Sequence, residues 1–188
     1  ERGLGPARKT ASLEMDVLAR APRKRSLGIA GAPLFPRRVC AILTAYLMRE
    51  IEGSAARIGA AELDHASQEA TLSLPISKAD FRGVGAKRTH GCCRAENPRI
   101  CPFHLLKAQV KFAKKEAKRA GWKKQDLPDA PLFPITDGLT FSKRGFAEAA
   151  GQIVEENEND AERIRRGGRP VLGHAPRPGG AKWLARAG

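Results

Sequence analysis

The segment from Arg37 to Glu52 constrains this chain most. Val39, Cys40, Ile42, Leu43, Tyr46, Leu47, Met48 and Ile51 leave it almost no polar face. A helix that is apolar all round has to sit inside the molecule, so the spacing predicts a buried helix over this whole segment, entered past Pro33 and Pro36. Its polar end, Arg49-Glu50-Ile51-Glu52, is the exception. Arg49 and Glu52 are three residues apart and can share one helical face.

The remaining segments supply what packs around that helix. Ala70 to Ile76 alternates as a strand does, with Pro75 demoting it toward a sheet edge. Gly83 and Gly85 mark a hairpin with Lys78 near its tip and Lys87-Arg88-Thr89 on the return strand. Pro102 opens a helix to about Ala120, with Leu106, Val110, Ala113 and Ala117 on one stripe. Lys107, Lys111, Lys114, Lys115 and Lys118 line the adjoining one. A turn-rich link over 126–138 leads to a short helix over 143–154, and the acidic then basic stretch 155–168 predicts a mobile loop or frayed helix end. Gly173-His174, with Pro176 and Pro178, announces a final helix through Trp183 and Leu184. Residues 1–30 hold seven Lys and Arg among Gly, Ala and Ser with scattered apolar residues, which predicts a basic flexible arm. The expected architecture is therefore α+β, mainly helical with a small antiparallel sheet or hairpin, in one domain over 31–188. Ala-Pro-Leu-Phe-Pro occurs at 32–36 and at 130–134, but nothing around it repeats.

Lys and Arg number 34 against 20 Asp and Glu, a formal charge of +14 and a pI near 10.2. Such a field suits phosphate backbones, anionic membranes or acidic proteins; it fixes a class of partner and not a function. No apolar run reaches the roughly 18 residues of a membrane span, and no secretory pattern opens the chain. Cys40, Cys92, Cys93 and Cys101 are too sparse for a disulfide framework, which fits an intracellular protein. Cys101-x-x-His104 behind the Cys92-Cys93 doublet, with His90 nearby, resembles zinc spacing, but the doublet is not a standard ligand pair. Free buried thiols, with no metal and no cofactor, are the expectation here. The start at Glu1 and the stop at Gly188 behind a helical pattern predict a piece of something longer.

Phosphoryl transfer builds negative charge on non-bridging oxygens, and enzymes answer it with fixed cations. Arg suits this because its planar fork meets two phosphate oxygens at once. The chain offers Arg49 at the end of the buried helix, Lys78 on the hairpin, and His174 and Arg177 at the head of another helix, where one turn can aim both at one phosphate.

In order and spacing, Arg49-x-x-Glu52, a strand ending in Ser77-Lys78, the return Ala86-Lys87-Arg88-Thr89, and His174-x-x-Arg177 followed by Ala181, Leu184 and Gly188 resemble the tyrosine recombinase/integrase catalytic domain. Leu132-Phe133-Pro134, then Gly138 and Ser142-Lys143, resembles the same family's pattern. Ser77-Lys78-x-Asp80, His90-Gly91-Cys92-Cys93 and Cys101-Pro102-Phe103-His104 resemble the recombinases of eukaryotic mobile elements more than bacterial phage integrases. The resemblance implies the DNA breaking-rejoining fold, a nuclear setting, duplex DNA as partner and a possible homo-oligomer on that DNA. It also implies roles: Arg49 and Arg177 clamp the scissile phosphate, Lys78 protonates the leaving oxygen, His174 acts as general acid/base, and Glu52 braces Arg49. Lys87, Arg88, Lys107, Lys111, Lys114, Lys115 and Lys118 are the expected DNA contacts. The family's nucleophile is a Tyr a few dozen residues beyond His-x-x-Arg. This chain stops eleven residues after Arg177, so a domain truncated before its nucleophile is expected. Its one tyrosine, Tyr46, belongs to the apolar run.

Taken singly, each residue has a plainer reading. Arg49 can be a helix-end charge, Lys78 an exposed hairpin lysine, His174 a helix cap, and the lysine stripe a solvated face. Two functions stay open: a recombinase fragment, and a non-catalytic DNA-binding or structural remnant of a mobile element. A basic RNA-associated protein lacks support, because Trp122, Trp183 and the seven Phe form no stacking motif.

Overall fold

A computed structural model describes residues 10–74 and 85–187. The expected hairpin tip, with Lys78 and Gly83, lies outside the described residues. The elements, in order, are α1 (Met15–Arg20), α2 (Pro36–Ala45), α3 (Glu50–Ala55), β1 (Ala61–Asp64), β2 (Glu69–Leu74), β3 (Ala86–Gly91), α4 (Pro102–Arg119), α5 (Lys143–Asn157), α6 (Asp160–Arg166) and α7 (Pro176–Ala187). Short 3-10 turns sit at Ile58–Ala60 and Lys124–Asp129. The class is α+β: about half of the described residues are helical, beside a three-stranded antiparallel sheet in the order β1-β2-β3.

Helix α2 is the axis of the core. Val39, Cys40, Ala41, Ile42, Leu43, Ala45 and Tyr46 are all fully buried, and α1, α4, α5 and α7 pack around them. The expected single helix to Glu52 is corrected to two. Met48 N–H donates to Leu43 O at 2.8 Å and Leu47 N–H to Thr44 O at 3.1 Å. This paired closure ends a helix by turning one residue left-handed, and that residue is Leu47, with φ 49°. An L side chain is strained there by about 1–2 kcal/mol. The turn lets the apolar run stay inside while α3 leaves in a new direction.

The basic arm is corrected over its described part. Leu13 and Leu18 are fully buried, with Met15, Val17 and Ala21 close to it. Leu13 N–H donates to Ala175 O and Ala11 N–H to Pro170 O, both at 3.0 Å. The apolar residues looked scattered because they fill gaps between several elements instead of forming one stripe. The charges pair across to neighbouring helices: Arg20 with Glu162, Lys182 with Glu14 at 2.8 Å, and Arg186 with Asp16 at 3.2 Å.

The stretch 155–168, expected as a mobile loop or frayed helix end, instead completes α5 and then folds as a separate capped helix, α6. Asn159 Oδ1 accepts from Glu162 N–H at 2.9 Å while Glu162 Oε2 accepts from Asn159 N–H at 2.8 Å, a reciprocal cap. Gly167 closes the far end at φ 56°. The sheet gains β1, unforeseen in the sequence; Leu63 faces Ala70 and Ala61 faces Leu72 across its ladder. Close approach of α7 to α2 depends on Gly180, where a Cβ would run into the backbone carbonyl of Thr44.

Candidate functional site

The turn that ends α2 leaves its last carbonyls at the negative end of the helix dipole, where cations are favoured. Three side chains from elsewhere answer them. His90 Nε2 lies 3.0 Å from Ala45 O, Arg88 donates to Tyr46 O, and Arg177 Nε donates to Leu47 O at 2.9 Å. Thus β3 and the start of α7 meet over one helix end.

Glu52 is the hub on the facing side. Its Oε1 accepts from Arg177 at 2.6 Å, and its Oε2 accepts from the Arg49 backbone N–H at 2.7 Å. Arg49 therefore does not end the central helix as expected; it opens α3. The Glu52 side chain is 6% exposed and that of Arg177 33% exposed, so the pair has a buried acidic face and an open basic one. Arg49 is half-buried and forms no ion pair among the described residues.

His174 lies in the turn before α7, not inside its first helical turn as expected. Pro176 opens that helix, and Arg177 N–H donates to His174 O at 3.3 Å. The turn is fixed to α3 by Glu50 N–H donating to Gly173 O at 3.2 Å, with the Glu50 carboxyl packed where a residue-173 side chain would be. His174 itself is exposed. The fold thus gathers Arg49, Glu52, His174 and Arg177 from distant parts of the chain, and adds Arg88.

Burial lowers the Arg88 pKa below its ordinary value, and the Arg177 charge lowers it further while Glu52 opposes both. Burial likewise lowers His90, partly offset by its bond to Ala45 O, with Arg88 pushing the same way as burial. Tyr46 is fully buried, donates its hydroxyl to Ala70 O at 2.9 Å, and has its pKa raised chiefly by that burial. It is a core residue and not a nucleophile.

Lys87 and Arg88, grouped as DNA contacts, point to opposite faces of β3, as neighbours on a strand do. Arg88 turns inward to the site, while exposed Lys87 pairs with Glu62 at 3.0 Å. On α4 the expected division holds: Leu106, Val110, Ala113 and Ala117 are buried and Lys107, Lys111, Lys114, Lys115 and Lys118 exposed. Lys107 also lies 5.8 Å from the Phe103 ring centroid.

The cysteines are not uniformly buried. Cys40 and Cys101 are, while Cys92 and Cys93 are half-buried. Cys92, Cys101 and His104 bring their ligand atoms within 4.8 Å of one another. Sequence reasoning missed the place of Arg88 at the site, His90 beside it, and a basic cavity of about 230 Å³ whose wall includes Arg23, Arg37, Arg38, Arg94 and Arg99. There Arg37 donates to Leu18 O at 2.5 Å and to Arg99 O at 2.9 Å, and burial with three neighbouring arginines lowers its pKa to about 10. Arg37-Arg38 directly behind Pro36, at the start of a helix otherwise apolar, was the available signal for the last.

Set beside models of known protein families and beside curated proteins, the chain matches none. Among the described residues, no helix is long and apolar enough to cross a membrane.

Proposed function

We propose that this chain is the phosphodiester-binding part of a tyrosine-recombinase-like DNA breaking-rejoining domain, acting on duplex DNA in the nucleus. The observation that carries it is the Glu52 carboxylate beside the end of α2, which pairs with the Arg177 guanidinium, accepts the Arg49 backbone N–H and acts on the charge of Arg88. The guanidinium groups of Arg177, in contact with the carboxylate, and of Arg88, within its electrostatic reach, outweigh that single negative charge, and Arg177 is partly open on its outer side. A phosphate diester matches that excess and the planar forks. In this reading Arg49 and Arg177 clamp the phosphate, Glu52 holds both, and Arg88 stands behind them. In the same reading His174, exposed in the turn before Arg177, exchanges a proton with a leaving or attacking oxygen, and Lys78 supplies the second proton donor. The attacking tyrosine comes from outside these 188 residues, since Tyr46 is sealed in the core.

A binding-only remnant is the second reading. Its support is that Arg88 and Arg177 already cap backbone carbonyls, which is a structural task in itself. Anisotropy titration of a labelled duplex over a range of salt, with Arg49→Ala and His174→Ala beside the parent, tests the proposal. Binding that falls steeply with salt and weakens in Arg49→Ala is expected; salt-insensitive binding overturns it. His174→Ala leaves affinity nearly unchanged if the residue serves chemistry alone. With a nicked duplex, no covalent adduct forms at Tyr46.

A further inference from the structure

We propose that Cys92, Cys101 and His104 hold one zinc-class divalent cation, with the thiol of Cys93 as the fourth ligand. Cys92 and Cys93 follow the last residue of β3, Gly91, and Cys101 stands just before Pro102, the first residue of α4. His104 is three residues further on, which puts its ring on the side of the first turn that faces Cys101.

The distances are those of a tetrahedron around a metal. Zinc bonds of about 2.3 Å to sulfur and about 2.0–2.1 Å to nitrogen set edges of roughly 3.8 Å between two sulfurs and roughly 3.5 Å between sulfur and nitrogen. Cys92 Sγ and Cys101 Sγ lie 3.9 Å apart. His104 Nδ1 lies 3.6 Å from Cys92 Sγ and 3.3 Å from Cys101 Sγ. All three edges of one face are therefore already in place, and only the thiol of Cys93, outside this set of three, has to turn to reach the fourth corner.

Two further features suit a thiolate centre. The backbone N–H of Cys93 donates to Cys101 Sγ at 3.4 Å, an outer-sphere bond of the kind that steadies a coordinated thiolate. Positive charge surrounds the cluster: Arg94 and Lys107 act on His104, and the basic cavity with Arg23, Arg37 and Arg99 shares Cys101 and His104 as part of its wall. Three thiolates and a divalent ion carry net negative charge, which that surround favours. Three sulfur ligands, one imidazole and a tetrahedral arrangement select zinc over magnesium or calcium. The ion ties the end of β3 to the start of α4, so it fixes the strand that carries Arg88 and His90.

The test is metal content and the spectrum of a cobalt(II) substitute. Protein purified under reducing conditions without chelator is expected to carry one zinc per chain by elemental analysis and native mass spectrometry. Cobalt(II) in its place is expected to give a thiolate charge-transfer band and the strong d–d bands of a tetrahedral site. Cys93→Ser keeps the metal and loses about a third of the charge-transfer intensity, as three thiolates become two. His104→Ala weakens cobalt(II) binding by more than the roughly 10–100-fold that loss of an outer partner costs. Cys40→Ser leaves the metal content and the cobalt(II) spectrum of the folded protein unchanged. Absence of stoichiometric zinc together with octahedral cobalt(II) spectra in the parent protein overturns the proposal. So does a Cys92–Cys101 disulfide that persists in reductant. Because the parent protein alone decides the first point, failure of a variant to fold does not blunt the test.

Discussion

Arg177 and Glu52, 125 residues apart in the chain, meet at 2.6 Å with the carboxylate nearly buried and the guanidinium partly open. The same carboxylate caps the first turn of α3 through the Arg49 N–H. One acidic group thus holds α7 against α3 and sets the spacing of two arginines.

Glu52→Gln keeps the shape of the hub but removes its charge. The Arg49 cap and the Arg177 contact both weaken, and the arginines repel each other more. A loss of about 1–3 kcal/mol in stability is expected for a hydrogen-bonded group of this burial. Denaturant unfolding of the parent and variant measures it, and Glu52→Ala is expected to lose more.

Gly180 is a second point of closure. A methyl there would press on the Thr44 carbonyl, which belongs to the backbone of α2 and has little freedom to yield. Gly180→Ala is expected to cost about 1–3 kcal/mol through overpacking, although alanine is the better helix former. Thermal unfolding of this variant reads the sign directly: a stabilised protein would mean that α7 stands farther from α2.

The central helix, the α4 stripe and the small antiparallel sheet were legible because each rests on local periodicity. Leu47 was not: nothing in an apolar run announces that a leucine will turn left-handed, and the break follows from how α3 and α7 pack around it. Leu13 and Leu18 were hidden for a related reason, since residues that fill separate gaps show no stripe. Arg49, Glu52 and Arg177 were visible as a set, yet their shared carboxylate is a tertiary fact. Arg88 was grouped with Lys87 as a DNA contact because a strand's inward face is polar only when something polar waits there, here the open carbonyl of Tyr46.

Glu158 links stability to pH. Its bond to Arg166 lowers its pKa below the ordinary 4.5, against the opposing effect of burial and with help from the Arg166 and Arg163 charges. A carboxyl whose folded pKa is depressed contributes stability above its unfolded pKa and loses it as pH falls through the folded one. Contacts of α6 are therefore expected to hold at neutral pH and to loosen progressively below about 4.5. Hydrogen exchange of α6 amides across that range checks this, and Glu158→Gln is expected to exchange faster at neutral pH and with less dependence on acidity.

The α4 lysines separate a working DNA surface from a merely solvated one. Lys111, Lys114, Lys115 and Lys118 are exposed and form no ion pair among the described residues, whereas Lys87 is paired with Glu62. Each lysine that neutralises a phosphate adds about 0.9 to the slope of log affinity against log salt. Replacing the four α4 lysines with glutamine should then leave stability nearly unchanged, weaken duplex binding without regard to sequence, and lower that slope by up to about 3–4. Lys87→Gln should lower it by less, because Glu62 already offsets its charge. An unchanged slope in the quadruple variant would assign the stripe to water and leave the arginines around Glu52 as the sole phosphate contacts among these groups.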